Sequence, residues 1–228
     1  MREKIVLSLG GSITVPDKVD IEYLKDFREL VKEFIDRYQF FIIVGGGALA
    51  RQYQNAAKEL GVDSEEFLDE IGIRATRLNA EVVRASFGDM AEADLINSEM
   101  DFGELEKSVV VGAGTHPGWS TDFVSVELAE KLGVKKIINL ANLDYIFDKN
   151  PTEFLDAKAL PKITWPEMWN IIGTEWIPGA DIPFDQRATE KAEGNEMTVV
   201  LLNGKNIENL RNFLSGNDFT GSVISPVV

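Results

Sequence analysis

The sequence predicts a three-layer αβα sandwich, an α/β fold whose mostly parallel central sheet is covered by helices on both faces. Three observations carry this. Short β-rich apolar runs alternate with stretches of helical spacing along the 228 residues. The runs are continuously apolar, as strands buried on two faces require. Glycine clusters follow several of them, as loops do at the carboxyl ends of parallel strands.

Residues 4–9 (KIVLSL) read as the first buried strand. Residues 20–38 then repeat Ile21, Leu24, Phe27, Leu30, Val31, Phe34 and Ile35 at helical spacing. Residues 40–44 (FFIIV) make a second strand, and 48–60 a helix closed by Gly61. Residues 67–87 read as a helix that Gly72 could break. Further strands are expected at 108–111, 136–140 and 198–202, with 221–224 as a final edge strand. Helices are expected at 122–132, stopped by Gly133, and at 166–172, 186–193 and 207–214. Pro151, Pro161, Pro166 and Pro178 mark a division of one domain, 1–228, into lobes 1–135 and 136–228. No flexible linker separates the two.

Composition narrows the function. A hydrophobic content of 44% supports one sizeable core. The absence of cysteine excludes disulfides, thiol catalysis and thiolate metal sites, and fits a reducing cytoplasm. The N-terminus, MREKIVLSLGGS, lacks the long apolar core of a secretory signal. No apolar run approaches the roughly 18 residues of a membrane span. A net charge of -15 argues against a nucleic-acid partner. A site for an anionic substrate must therefore build positive potential locally, from backbone N–H groups, a few Arg or Lys, and Mg²⁺.

Three clusters could do so: Gly10-Gly11-Ser12, Gly45-Gly46-Gly47, and the segment from Gly112 to Gly118. Glycine lets backbone amides approach a phosphate, and a following helix adds its positive end. A single cluster is commonly only a tight turn. Several on one sheet edge point to two phosphate-bearing groups meeting, as phosphoryl transfer requires. The Walker A pattern is absent. Gly45-x-Gly47-x-x-Ala50 fits the dinucleotide fingerprint, but Glu65, Glu66 and Asp69 lie in a helix where that motif needs an acid ending a strand.

The segments LGGS at 9–12, VGGGALAR at 44–51, DEIGIRATRLNA at 69–80, GAGTHPGWSTD at 112–122, NLDYIFDKNP at 142–151 and PFDQRA at 183–188 belong together. With VVLLNG and TGSVI near the end, they give a chain that resembles the UMP kinases of the amino acid kinase superfamily, of archaeal or short bacterial type. The resemblance spans nearly the whole length, and GTHPG-x-x-TD is its most specific part. It implies phosphoryl transfer from ATP to UMP. Gly10, Gly11 and Ser12, beside Ser8, would hold the ATP phosphates, and Gly45 and Gly46 would sit between acceptor and transferred phosphates. Arg51 would grip the UMP phosphate and Asp69 the ribose. Gly114, Thr115, His116, Pro117, Gly118 and Thr121 would wrap the uracil and its phosphate, with Thr121 also suited to cap its helix. Asn142, Phe147 and Asn150 would meet the ATP base and ribose. Asp122 and Asp185, with Arg51, would act on the transferred phosphate, the carboxylates through Mg²⁺ bound with ATP. The resemblance further implies a cytoplasmic homohexamer of dimers packed through the first lobe, with no nucleic-acid or membrane partner.

Taken alone, Arg51 also fits a solvated helix arginine, Asp69 one more acid in an acidic helix, and Asp122 a charge at a helix N-terminus. One histidine and no cysteine rule out a His/Cys metal cluster. Two departures stand out. Ser8 occupies the place where many superfamily members carry Lys; Arg51, Lys149, Arg187, Lys191 and Mg²⁺ are candidates for the missing charge. The donor segment, usually T-N-V-D-G-V-Y-x-x-D-P, reads Ala141-Asn142-Leu143-Asp144-Tyr145-Ile146-Phe147-Asp148-Lys149-Asn150-Pro151, and Gln186 stands where Pro is common. An altered donor preference or weak ATP binding is expected from these. Other readings are a different acceptor (carbamate, an acylamino acid or isopentenyl phosphate) and a regulator that binds nucleotide without turnover. GTHPG-x-x-TD favours UMP.

Overall fold

The computed structural model describes residues 2–96, 105–175 and 182–227. Its strands are β1 (Glu3–Leu9), β2 (Tyr38–Val44), β3 (Val109–Gly112), β4 (Lys136–Ala141), β5 (Lys162–Thr164), β6 (Thr198–Asn203) and β7 (Ser222–Ser225). They form one sheet in the order β3-β2-β1-β4-β6-β7-β5. Every neighbouring pair is parallel except β6 and β7. The helices are α1 (Gly11–Thr14), α2 (Ile21–Phe34), α3 (Gly47–Glu59), α4 (Glu65–Phe87), α5 (Thr121–Leu132), α6 (Trp165–Ile172), α7 (Gln186–Gly194) and α8 (Ile207–Ser215).

Successive side chains on the central strands enter opposite cores. Leu7 and Leu9 of β1, with Phe40, Ile42 and Val44 of β2, pack against α2, α4 and α8. Val6, Phe41 and Ile43 point the other way, onto α5, α6 and α7. This two-sided burial is why the strands read as unbroken apolar runs. Each fully buried Leu, Ile or Phe contributes about 1.5–3 kcal/mol of transfer free energy.

The structure departs from the sequence expectations at definable places. Helix α2 ends at Phe34, and Tyr38 and Gln39 join β2, because the register pairs Glu3 with Tyr38 and continues to Leu9 with Val44. Helix α4 runs unbroken through Gly72. A Cβ there would sit 2.8 Å from the Gln54 side-chain nitrogen, so the glycine permits close packing of α3 on α4. Strand β7 is interior, not an edge. The true edge on that side is the three-residue β5, too short to read from its sequence. The single turn α1 was equally illegible. Of the prolines expected to mark a lobe division, Pro178 lies outside the described residues; Pro166 occupies the first turn of α6, where a missing N–H costs nothing.

Candidate active site

Chain order reverses at β1, which pairs with β2 on one side and β4 on the other. Ligands of open α/β sheets bind in the crevice beyond the strand ends at such a point. The first two glycine loops meet there backbone to backbone. A Cβ on Gly11 would lie 2.0 Å from the Gly47 nitrogen and 2.7 Å from that of Gly46. Gly47 has φ +59, which side-chain-bearing residues rarely adopt. The Gly10 amide donates to the Leu140 carbonyl (3.0 Å) and the Gly45 amide to that of Leu9 (2.9 Å), tying both loops to β1 and β4.

Helix α4 fixes the loops from beside. Asn79 is buried, and its side-chain NH₂ donates to the carbonyls of Gly45 and Gly46, both at 2.9 Å. The Thr76 hydroxyl donates to the Ile73 carbonyl (2.7 Å) and accepts the Gly114 amide (2.9 Å). Asp69 accepts the Gly118 amide at 2.6 Å. Arg187, from α7, donates to the Gly118 carbonyl at 2.6 Å, so this loop is clamped from both α4 and α7. Asp69, Gly72, Thr76 and Asn79 recur at helical spacing on one face of α4. That spacing was present in the sequence and would have found Thr76 and Asn79, which motif reading missed.

Asn79→Ala is expected to lower both the melting temperature and kcat. It strands two carbonyls, each worth about 1–3 kcal/mol if left unpaired. Thermal melts and steady-state kinetics check this; an unchanged kcat would show that the glycine loop keeps its shape without Asn79.

The carboxylates gather at the start of α5 and α7. Ser120, not Thr121, caps α5: its hydroxyl accepts the Phe123 amide at 3.0 Å. It also hydrogen-bonds Asp185. Asp185 caps α7, accepting the amides of Arg187 (2.8 Å) and Ala188 (3.0 Å), so it joins two helix N-termini. Asp122, in the first turn of α5, accepts the Ser8 hydroxyl at 2.8 Å. Ser8 is 1% exposed and carries no charge to offset its partner. Burial lifts the Asp122 carboxyl to about 7, the Asp185 charge pushes the same way, and the Ser8 hydrogen bond opposes both.

A pocket of about 300 Å³ opens beside these groups. Of the residues the sequence assigns to an acceptor, Gly46, Arg51, Asp69, Gly114, His116 and Thr121 line it. Gly45 sits behind, pressed on Gly11. Pro117 is exposed. His116 Nδ1 lies 3.0 Å from the Thr115 hydroxyl, and its ring lies 4.5 Å from that of Trp119. Trp119 also lines the pocket and packs on Phe123 at 4.8 Å, an aromatic wall that the motif did not single out.

The donor segment is arranged differently. Asn142 is exposed at the end of β4, and Phe147 is half-buried in a bridge to Ala159. Asn150 caps its own turn, accepting from the Thr152 amide (3.0 Å) and donating to Glu153 (3.1 Å). Two candidates for the charge missing at Ser8 are already neutralised. Lys149 pairs with Asp156 at 2.6 Å, and Lys191 with Glu127 (2.5 Å) and Glu130 (2.8 Å). Among the described residues, no cluster of three or more His, Asp or Glu is placed to hold a metal by itself.

A family model described as the amino acid kinase family matches residues 3–203. The uridylate kinase of Methanobrevibacter smithii is 34% identical over 226 residues, covering 97% of this chain and 99% of that protein. That of Staphylothermus marinus is 32% identical over 228 residues, covering 99% and 100%. The crystal structure of uridylate kinase from Archaeoglobus fulgidus matches with a TM-score of 0.82 at 32% identity, covering 97% of this chain and all of that one. UMP kinase from Ureaplasma parvum, at 18% identity and a TM-score of 0.79, shares the fold. A family model over most of the chain, and relatives above 30% identity along nearly all of it, establish that this chain belongs to the amino acid kinase family.

Proposed function

We propose that this protein is a nucleoside monophosphate kinase that transfers the γ-phosphoryl group of ATP to UMP, giving UDP and ADP. The observation that carries this is the crevice itself: two touching glycine loops beside a pocket lined by Arg51, Asp69, Gly114, His116, Trp119 and Thr121. The full-length relatives named uridylate kinase point to the same acceptor.

In this reading the lobe 1–135 takes the acceptor and 136–228 the donor. The amides of Gly10, Gly11 and Ser12 hold the ATP phosphates. Gly45 and Gly46 separate them from the acceptor phosphate, which Arg51 grips. An oxygen of the UMP phosphate attacks the γ-phosphorus, the bond to the β–γ bridging oxygen breaks, and ADP leaves with that electron pair. Little proton chemistry is needed, so positioning dominates. Mg²⁺ fits the site, because a nucleotide-borne ion needs only one or two protein carboxylates, and Asp122 with Asp185 would supply them. Bound there, it would neutralise charge on the phosphates.

The test is a coupled assay of ADP release. Release should require UMP and Mg²⁺. Release only with carbamate, an acylamino acid or isopentenyl phosphate would reject UMP, and binding without turnover would reject the enzyme. Running ATP against GTP reads the donor preference of the altered segment. Arg51→Ala should raise the UMP Michaelis constant about 10–100-fold, since a charge-assisted hydrogen bond is worth roughly 1.5–3 kcal/mol. An unchanged constant rejects its role.

The reading includes a homo-oligomer, and the exposed apolar residues Tyr53, Leu60, Phe67, Leu78 and Val82 along α3 and α4 support it. Phe67→Glu with Leu78→Glu should reduce the solution mass to that of a monomer, measured by light scattering. Among the described residues no helix is long and apolar enough to cross a membrane.

A further inference from the structure

A cavity of about 730 Å³ lies at the opposite edge of the sheet, where β1, β2 and β4 begin. At about 3.3 Å per residue, the seven-residue β1 puts it roughly 20 Å from the glycine loops. Its charge is the reverse of the molecule's. Arg2, Lys4, Arg37, Lys135 and Lys136 line it, against the single acid Glu3. The whole chain holds 38 acids and 23 Lys or Arg.

Part of this has a local explanation. Helices α2, α5 and α8 end here, each contributing about half a negative charge. Together with Glu3 they leave an excess of about two to three positive charges. The cations are tied mainly to backbone carbonyls, although the Glu130 carboxylate lies near enough to Lys135 to feel its charge. Arg37 donates to the Leu214 carbonyl (3.2 Å), Lys135 to that of Asn195 (2.8 Å) and Arg2 to that of Glu106 (2.7 Å). Among the described residues, none of the five has a carboxylate within ion-pair reach. The side chains of Lys4 and Lys136, exposed on the neighbouring strands β1 and β4, have no hydrogen-bond partner among the described residues either. Phe213 and Phe219, edge to face at 4.9 Å, add an apolar wall.

We propose that this cleft is a second anion site that binds a chain of two or three phosphates, free or as the tail of a nucleotide. A compact polyanion matches several fixed cations at once. The cavity is large enough for it. A large acidic macromolecule would meet repulsion from the rest of a chain of net charge -15, which a small anion inside the cleft avoids.

The experiment is calorimetric titration of tripolyphosphate into the whole protein, with a non-hydrolysable ATP analogue and UMP saturating the crevice. Wild type should bind one further equivalent. Lys4→Glu with Lys136→Glu should weaken that step about tenfold or more, each lost charge-assisted contact being worth roughly a factor of ten. Its kcat should match wild type, which also certifies its fold. If the double variant fails to fold, Lys4→Gln alone carries the comparison at smaller size. CTP binding ten times tighter than tripolyphosphate would identify a nucleotide as the ligand, and equal affinity a free phosphate chain. No further equivalent in wild type, or equal affinity in the variants, overturns the proposal.

Discussion

Asp122→Asn is expected to remove most turnover and yet to stabilise the protein above neutral pH. The carboxyl sits near 7 in the folded state against an ordinary value of 3.8, so the folded protein binds this proton more tightly than the unfolded chain does. The sign follows from that. A raised acid costs nothing below about 4, and the cost grows with pH until the folded group is ionised, above about 7. At pH 8 it amounts to roughly 4 kcal/mol. Asparagine can still accept the Ser8 hydroxyl but carries no charge, so the variant should melt several degrees higher at pH 8, with the gap closing towards pH 4. Its kcat should fall roughly a hundredfold or more, the scale of losing one preorganised electrostatic contact to the transition state. In the wild type, an ionised Asp122 predicts an acid limb near pH 7 in kcat/KM. Nucleotide-free melts of both proteins across pH decide the matter; parallel curves would show that Asp122 is not the desolvated group.

Gly11→Ala should do comparable damage by steric means. The new methyl would lie 2.0 Å from the Gly47 nitrogen, with Gly45 and Gly46 backbone atoms at 2.7 Å, and no flexible side chain is there to yield. The loops after β1 and β2 would have to part, at a cost of at least about 1–3 kcal/mol. Because Gly11 is assigned to ATP and Gly45 and Gly46 to the boundary with UMP, affinity for both nucleotides should fall together. Gly194→Ala is the control: it ends α7, nothing lies within 4 Å of its would-be Cβ, and alanine favours helix. Calorimetry with each nucleotide checks the pair. Loss of affinity for one nucleotide alone would mean that the two loops act independently.

The sequence by itself determined the layered α/β class, the helix-and-strand alternation, the glycine loops at strand ends and the family. Each depends on a local pattern, a period of apolar residues or a contiguous motif, that needs no knowledge of distant neighbours. Tertiary structure decided the rest. Ser8 meets Asp122 across 114 positions, Asp69 meets Gly118 across 49, and Arg187 reaches Gly118 across 69. No periodicity encodes such meetings, which follow from strand order and helix docking. Thr121 looked like a cap because its type suits one, but the turn geometry gave that place to Ser120. Lys149 and Lys191 looked available until folding set carboxylates beside them. The unusual acidity of Asp122 belongs to the same class: the sequence names the residue, and only the packing that buries it beside Asp185, with a neutral serine as partner, sets its proton affinity.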